Sequence, residues 1–169
     1  MYEKNRYNFF CCCIILSLAF TFGCSPAKVE YLRIHIRANS NAVNDQSIKY
    51  EVRDAVVNYL TPLIENATSK EDAILKITNA QSAVKALIDG LLAKKGYKYK
   101  SKVSIKEELF PTRVYEGLTL EAGYYDAVII ELGEGIGDNW WCVVYPPLCF
   151  MGSEDITYRS KIWEIINGL

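Results

Sequence analysis

At 169 residues, half of them apolar and 23% charged, the chain has the size and composition of one globular domain with a real hydrophobic core. A disordered or collagen-like polypeptide is excluded on the same grounds. The formal net charge of −1 leaves no electrostatic footprint for nucleic acid and no basic block to hold an anionic membrane, which argues against a nucleic-acid role.

The N-terminus differs in kind from the rest. Lys4 and Arg6 precede a mostly apolar run from Phe9 to Phe22, followed by Gly23-Cys24-Ser25-Pro26-Ala27. A basic start before such a run is a secretory pattern, and the run is short against the roughly 20 residues of a full membrane span. Three fates are open. Ser25-Pro26-Ala27 can serve as a cleavage site that releases a domain beginning near Lys28. Gly23-Cys24 can be a lipoprotein cleavage point with Cys24 acylated, although Thr21 and Phe22 are poor residues ahead of it. Or the segment stays as an uncleaved anchor extended toward Tyr7, which would keep the protein in contact with the membrane. Each fate puts the working domain outside the membrane of synthesis. The chain therefore divides into residues 1–27 as signal peptide or anchor, 28–152 as an α+β domain and 153–169 as a helical tail. Of six cysteines, only Cys142 and Cys149 belong to the exported domain, an even number in a compartment where disulfides can form.

From Tyr31 to Ala38 the residues alternate strictly. Leu32, Ile34 and Ile36 lie on one side and Arg33, His35 and Arg37 on the other, which predicts a half-buried strand. A turn-rich break from Asn39 to Asp45 follows, where Asn44 or Asp45 can cap a helix. Ile48, Val52, Val56, Leu60 and Ile64 then recur at helical spacing, with Pro62 set to kink or end that helix near its last turn. Thr68 and Glu71 have the spacing of a capping box, and Ile77, Val84, Ile88 and Leu92 mark a second amphipathic helix that stops at Lys94-Lys95-Gly96. The period then changes to two. Strands are predicted from Tyr97 to Leu109, between Thr112 and Leu120, from Tyr124 to Leu132 and from Asn139 to Tyr145, with a short helix from Glu154 to Asn167. This order predicts two amphipathic helices on one face of a mostly antiparallel sheet of four to five strands, closed by a short C-terminal helix.

No catalytic constellation emerges. A thiol nucleophile needs a base, and the single histidine, His35, sits between Arg33 and Arg37, which lower its basicity. Cys142 lies in an apolar strand where burial makes a thiol inert. A bridge to Cys149 is geometrically reasonable, because Pro146-Pro147 bend the six intervening residues back toward the ~6 Å Cα separation a disulfide requires; bonded and free forms both stay open. One histidine and two cysteines do not make a zinc site, and no cofactor or metal is expected. Asp45, Lys49 and Arg53 recur every four residues, a polar binding stripe or, as the favoured reading, a solvated ion-pair face. Gly133-Glu134-Gly135-Ile136-Gly137 precedes a strand, not a helix, and carries acidic neighbours, so it reads as a turn and not a phosphate cradle. What remains is the aromatic corner GDNWWCVVYPPLCF, where Trp140 and Trp141 must face opposite sides of a sheet. One can join the core; the other is covered by the tail through Trp163 or docks on a partner.

Ile36 to Ser40, Asp45-Gln46 with Lys49, Val52 to Val56, Phe110-Pro111-Thr112-Arg113, Ala122-Gly123-Tyr124 and above all NWWC followed by PPLCF resemble the stage II sporulation protein R family, in order, from Leu32 to Phe150. The resemblance implies an intercellular signal of endospore formation. Such a protein crosses the forespore membrane into the space between two cells, released or tethered. There it activates a membrane-embedded aspartic protease that processes the precursor of the mother cell's early sigma factor. On that reading the protein is a non-enzymatic ligand, and its contact surface includes Trp140, Trp141, Pro146, Pro147 and Phe150, with Arg37, Asn39 and Ser40 as a second edge. The rival is an exported hydrolase or redox enzyme using Cys142 or Cys149. A third reading is a structural envelope module.

Overall fold

The computed structural model describes residues 30–115 and 118–148. The leader, the C-terminal helix, Cys149, Phe150 and Trp163 lie outside the described residues. Strand β1 (Leu32–Arg37) leads into helices α1 (Val43–Ile64) and α2 (Lys70–Lys94), followed by β2 (Ser101–Phe110), β3 (Arg113–Tyr115), β4 (Leu118–Leu120), β5 (Gly123–Leu132) and β6 (Asn139–Tyr145). Four strands form one sheet in the order β2-β5-β1-β6, and β3 pairs with β4 in a separate small hairpin. The α+β class, the two helices and the mostly antiparallel four-stranded sheet expected for this region hold. The strand from Tyr97 starts four residues later than its alternation suggested, at Ser101. Tyr97 and Tyr99 instead reach toward the start of α1, where their hydroxyls donate to Asn44 O at 2.9 Å and Asp45 Oδ1 at 2.7 Å.

The center of the sheet is a parallel pair, β1 beside β5, with Ile34 opposite Val128 and Ile36 opposite Ile130. The unbroken burial of Ala127 to Ile130 fits an interior strand covered on both faces. One face of the sheet, through Leu32, Ile34, Ile36, Val128, Ile130 and Leu132, packs on Ile48, Val52, Val56 and Leu60 of α1 and Ile77, Val84, Ile88 and Leu92 of α2. Each such fully buried aliphatic side chain contributes about 1.5–3 kcal/mol relative to exposure, as an upper estimate.

The helix ends refine the sequence reading. The N-cap of α2 is Ser69, not Thr68: its hydroxyl accepts the Asp72 N–H at 3.1 Å, and Asp72 in turn accepts the Thr68 N–H at 3.0 Å. The acid that reaches back is thus Asp72, one residue beyond Glu71. At the other end Gly96, with φ of +84°, takes the left-handed turn, and the Tyr97 N–H closes back on Leu92 O at 3.0 Å. Helix α1 has no side-chain cap at Ala42; Asp45 sits in its first turn, buried. No helix among the described residues is long and apolar enough to cross a membrane.

The largest departure concerns the polar side of β1. Its alternation reads as half-buried, yet Arg33 is 0% exposed and His35 4% exposed. The face opposite the helices is covered too: Phe110, Tyr125 and Trp141 pack around Ala127 and Ile129, and Tyr115 of the β3–β4 hairpin lies over Arg33. Polar residues tolerate that burial here because most find partners.

Candidate functional site

Two neighbourhoods hold the residues singled out from the sequence. The first is a corner where the β1–α1 loop meets the glycine-rich β5–β6 loop. Asp45 accepts hydrogen bonds from Asn39 Nδ2 (2.8 Å), Ser40 Oγ (2.6 Å) and Tyr99 OH (2.7 Å). Burial alone would raise this carboxyl, but the hydrogen bonds from Ser40, Asn39 and Tyr99 outweigh it and hold it below its ordinary range. Lys49, 1% exposed, donates to Gln46 Oε1 at 2.7 Å and to the Asp138 carbonyl at 3.0 Å. The two loops are sewn together by the Glu134 N–H on Asn39 Oδ1 (3.0 Å), the Asp138 N–H on Asn41 Oδ1 (2.6 Å) and the Gly137 N–H on Ala38 O (2.9 Å). The glycines are there for space: a Cβ on Gly137 would collide with the Ser40 carbonyl, and one on Gly133 with the Asn39 side chain. This corrects the reading of Asp45 and Lys49 as a solvated ion-pair face. Both are buried in the corner, and only Arg53, half-buried beside exposed Asp54, fits that description. Asn39 and Ser40 spend their side chains inside the same corner.

The second neighbourhood is the sheet face opposite the helices. His35 and Trp141 are opposite each other in the β1–β6 register, with ring centroids 5.2 Å apart. The Arg113 guanidinium lies 4.1 Å from the Trp141 ring, so the half-buried indole is bracketed by an imidazole and a cation. Arg37 binds both Glu108 and Glu131, the latter at 2.8 Å. His35 Nε2 is 2.8 Å from Asn139 Oδ1 and Nδ1 is 3.3 Å from Glu108 Oε2. Burial lowers the His35 pKa to about 4, against the upward pull of the Asn139 hydrogen bond. From the sequence alone neither Arg113 nor His35 belongs to the contact surface, and His35 enters only as a weak candidate base. Arg113 had a signal, since it ends the Phe110-Pro111-Thr112-Arg113 motif, whereas nothing in the sequence ties His35 to Trp141.

The shifted histidine gives a pH dependence with a definite sign. Its folded pKa lies below the unfolded value of about 6.5, so the unfolded chain binds the extra proton between the two. Stability should therefore be full above about pH 6.5 and fall as pH drops toward 4. The loss is expected to be ~1–2 kcal/mol, since one pKa unit is worth about 1.4 kcal/mol and partial hydration screens some of it. Urea unfolding of wild type and His35→Gln at several pH values measures it; parallel curves between pH 4 and 6.5 would contradict it.

Trp140 faces the other way, as its neighbour's position requires, and packs at the edge of the helix-side core with Arg53 5.8 Å from its ring. Pro146 and Pro147 are buried, and the Tyr145–Pro146 peptide is cis. In this structure the proline pair supports the corner from within and presents no surface of its own. Cys142, opposite Ile34 on the helix side of the sheet, is 8% exposed. His35 lies on the opposite face, so thiol and imidazole do not form a nucleophile–base pair. Among the described residues no group of three or more His, Cys, Asp or Glu is placed to hold a metal ion.

The family model for stage II sporulation protein R matches residues 28–155. The chain is 38% identical over 122 residues to stage II sporulation protein R of Bacillus subtilis (strain 168), an alignment covering 72% of this chain and 54% of that protein. The chain thus spans about half the length of the curated relative it matches. No solved structure matches it. With the family model covering most of the chain, including both neighbourhoods above, the chain belongs to the stage II sporulation protein R family.

Proposed function

We propose that this chain is an exported signal of endospore formation, a protein ligand that switches on a membrane-embedded aspartic protease. The protease then processes the precursor of the mother cell's early sigma factor. Family membership supports the sporulation role. The observation that carries the ligand reading over an enzyme is the placement of Cys142 and His35 on opposite faces of the sheet, with Cys142 buried. A thiol buried in apolar surroundings without a base beside it is inert. We pair Cys142 with Cys149, which would brace the end of β6 in an oxidising compartment between the two cells. The leader of residues 1–27 supports export, whether it is cleaved or kept as a tether.

The test is reconstitution in a non-sporulating host that co-expresses the exported chain, the protease and the sigma-factor precursor. Precursor cleavage should depend on the chain. In a Cys142→Ser/Cys149→Ser double variant that still folds, cleavage should persist at a reduced level set by the amount of folded protein. A folded double variant with no activity at all would favour the cysteine-enzyme alternative.

A further inference from the structure

We infer that the space beneath the β3–β4 hairpin is a carboxylate-binding site with Arg33 as its cation. This goes beyond the signalling role and does not depend on it. Arg33 is 0% exposed, and its guanidinium donates one hydrogen bond, from Nη2 to Tyr115 OH at 2.7 Å. Its Nε and Nη1 are buried and find no partner among the described residues. A guanidinium carries five N–H donors, and burying it without acceptors or a counter-charge is strongly unfavourable.

The acids on this face are already committed. Among the described residues the carboxylates on this side of the sheet, Glu108 and Glu131, both bind Arg37, two residues along the same side of β1. What surrounds Arg33 is aromatic: the rings of Phe110, Tyr125 and Tyr115 have centroids 4.2, 4.9 and 5.8 Å from its Cζ. Aromatic faces attract a cation, but they accept nothing from N–H groups lying in the guanidinium plane. That edge suits a planar carboxylate, the group whose geometry the guanidinium fork matches. The cover over it is slight. Strands β3 and β4 have three residues each, and Val114, next to Tyr115, is 72% exposed. Displacing this short hairpin uncovers the guanidinium edge while the Phe110 and Tyr125 rings stay in the body of the sheet. The carboxylate belongs either to an acidic side chain of another molecule or to Glu154, Asp155 or Glu164 of the chain's own C-terminal segment.

The test uses the full chain, labelled with ¹⁵N, and follows the Arg33 Nε–H resonance, assigned by its disappearance in Arg33→Lys. Sodium acetate is the probe, with sodium chloride at equal ionic strength as control. Acetate should shift the resonance saturably and slow its solvent exchange at least about tenfold, and it should raise Tm by a few degrees relative to chloride. Arg33→Met should fold with equal or higher Tm, since an apolar side chain removes the buried charge, and should lose the acetate-dependent rise. A response in wild type assigns the carboxylate to another molecule. A response seen only in Glu154→Gln/Asp155→Asn/Glu164→Gln assigns it to the chain's own segment. Neither protein responding to acetate, by resonance or by Tm, overturns the site.

Discussion

Asp45→Ala is expected to lower folding stability by about 3–5 kcal/mol, because it strands three donors, Asn39 Nδ2, Ser40 Oγ and Tyr99 OH, around a site buried in the wild-type protein. Hydrogen bonds to a charged acceptor are worth about 1.5–3 kcal/mol each, and a buried donor left unpaired forfeits its hydration as well. The damage should spread, since Asn39 also holds the Glu134 N–H and so ties the β1–α1 loop to the glycine-rich loop ahead of β6. Tyr99→Phe removes a single donor and should lose ~1–2 kcal/mol. Urea titration of the three proteins checks both values, and a double-mutant cycle between positions 45 and 99 should show positive coupling. A loss below about 1 kcal/mol in Asp45→Ala would return the cluster to the status of a solvated face. The acid side has a sign of its own. The folded Asp45 pKa is depressed, so its contribution is present above the unfolded value and is lost as pH falls through the folded one.

Trp141→Ala should abolish activation of the protease in the reconstituted host while leaving export and circular dichroism intact and lowering Tm by only a few degrees, since the indole packs on the small Ala127–Ile129 cluster and not on the main core. The indole is half-buried on the face away from the main core, stacked between His35 and the Arg113 guanidinium, and it covers none of the helix-side cluster. Its removal takes away a rigid aromatic anchor of the kind that dominates protein interfaces, without opening a cavity in the core beneath α1 and α2. Trp140→Ala makes the contrast. Trp140 packs against the helix-side cluster, so its loss should lower stability by ~2–3 kcal/mol before it affects signalling. Arg113→Ala, which leaves Trp141 in place but removes its cationic partner, should weaken activation about tenfold. A Trp141→Ala protein that is folded and fully active would move the contact surface off this face.

Periodicity carried most of the architecture. The apolar spacings of α1 and α2 and the run from Val128 to Ile130 predicted two helices and an interior strand, because burial on one stripe or on both faces leaves a direct mark in the order of residues. Pairing left no such mark. Nothing local in Leu32–Arg37 says that its parallel neighbour is β5, nearly a hundred residues away, and alternation reads Arg33 and His35 as polar without saying whether water or protein covers them. The same ambiguity misplaced Asp45 and Lys49: a four-residue charge spacing is common to solvated helix faces and to this buried corner. The signal that separates the two was present in Asn39-Ser40-Asn41 just ahead of the helix and in glycines at 133, 135 and 137, two loops whose polar and missing side chains fit each other. At the candidate contact surface, the opposed tryptophans followed from strand geometry alone, but the burial of Pro146 and Pro147 and the bracket of His35 and Arg113 around Trp141 depend on long-range packing.

The most direct test of a ligand acting on a protease is stoichiometry. The exported wild-type chain is titrated against a fixed amount of the membrane-embedded protease, and cleavage of the sigma-factor precursor is read at each ratio. Activation should rise with added chain and saturate at a fixed ratio of about one ligand per binding site, as occupancy of a site requires. Full activation by a small fraction of one equivalent would contradict it and point to a catalyst, and no activation at any ratio would remove the protease as the partner.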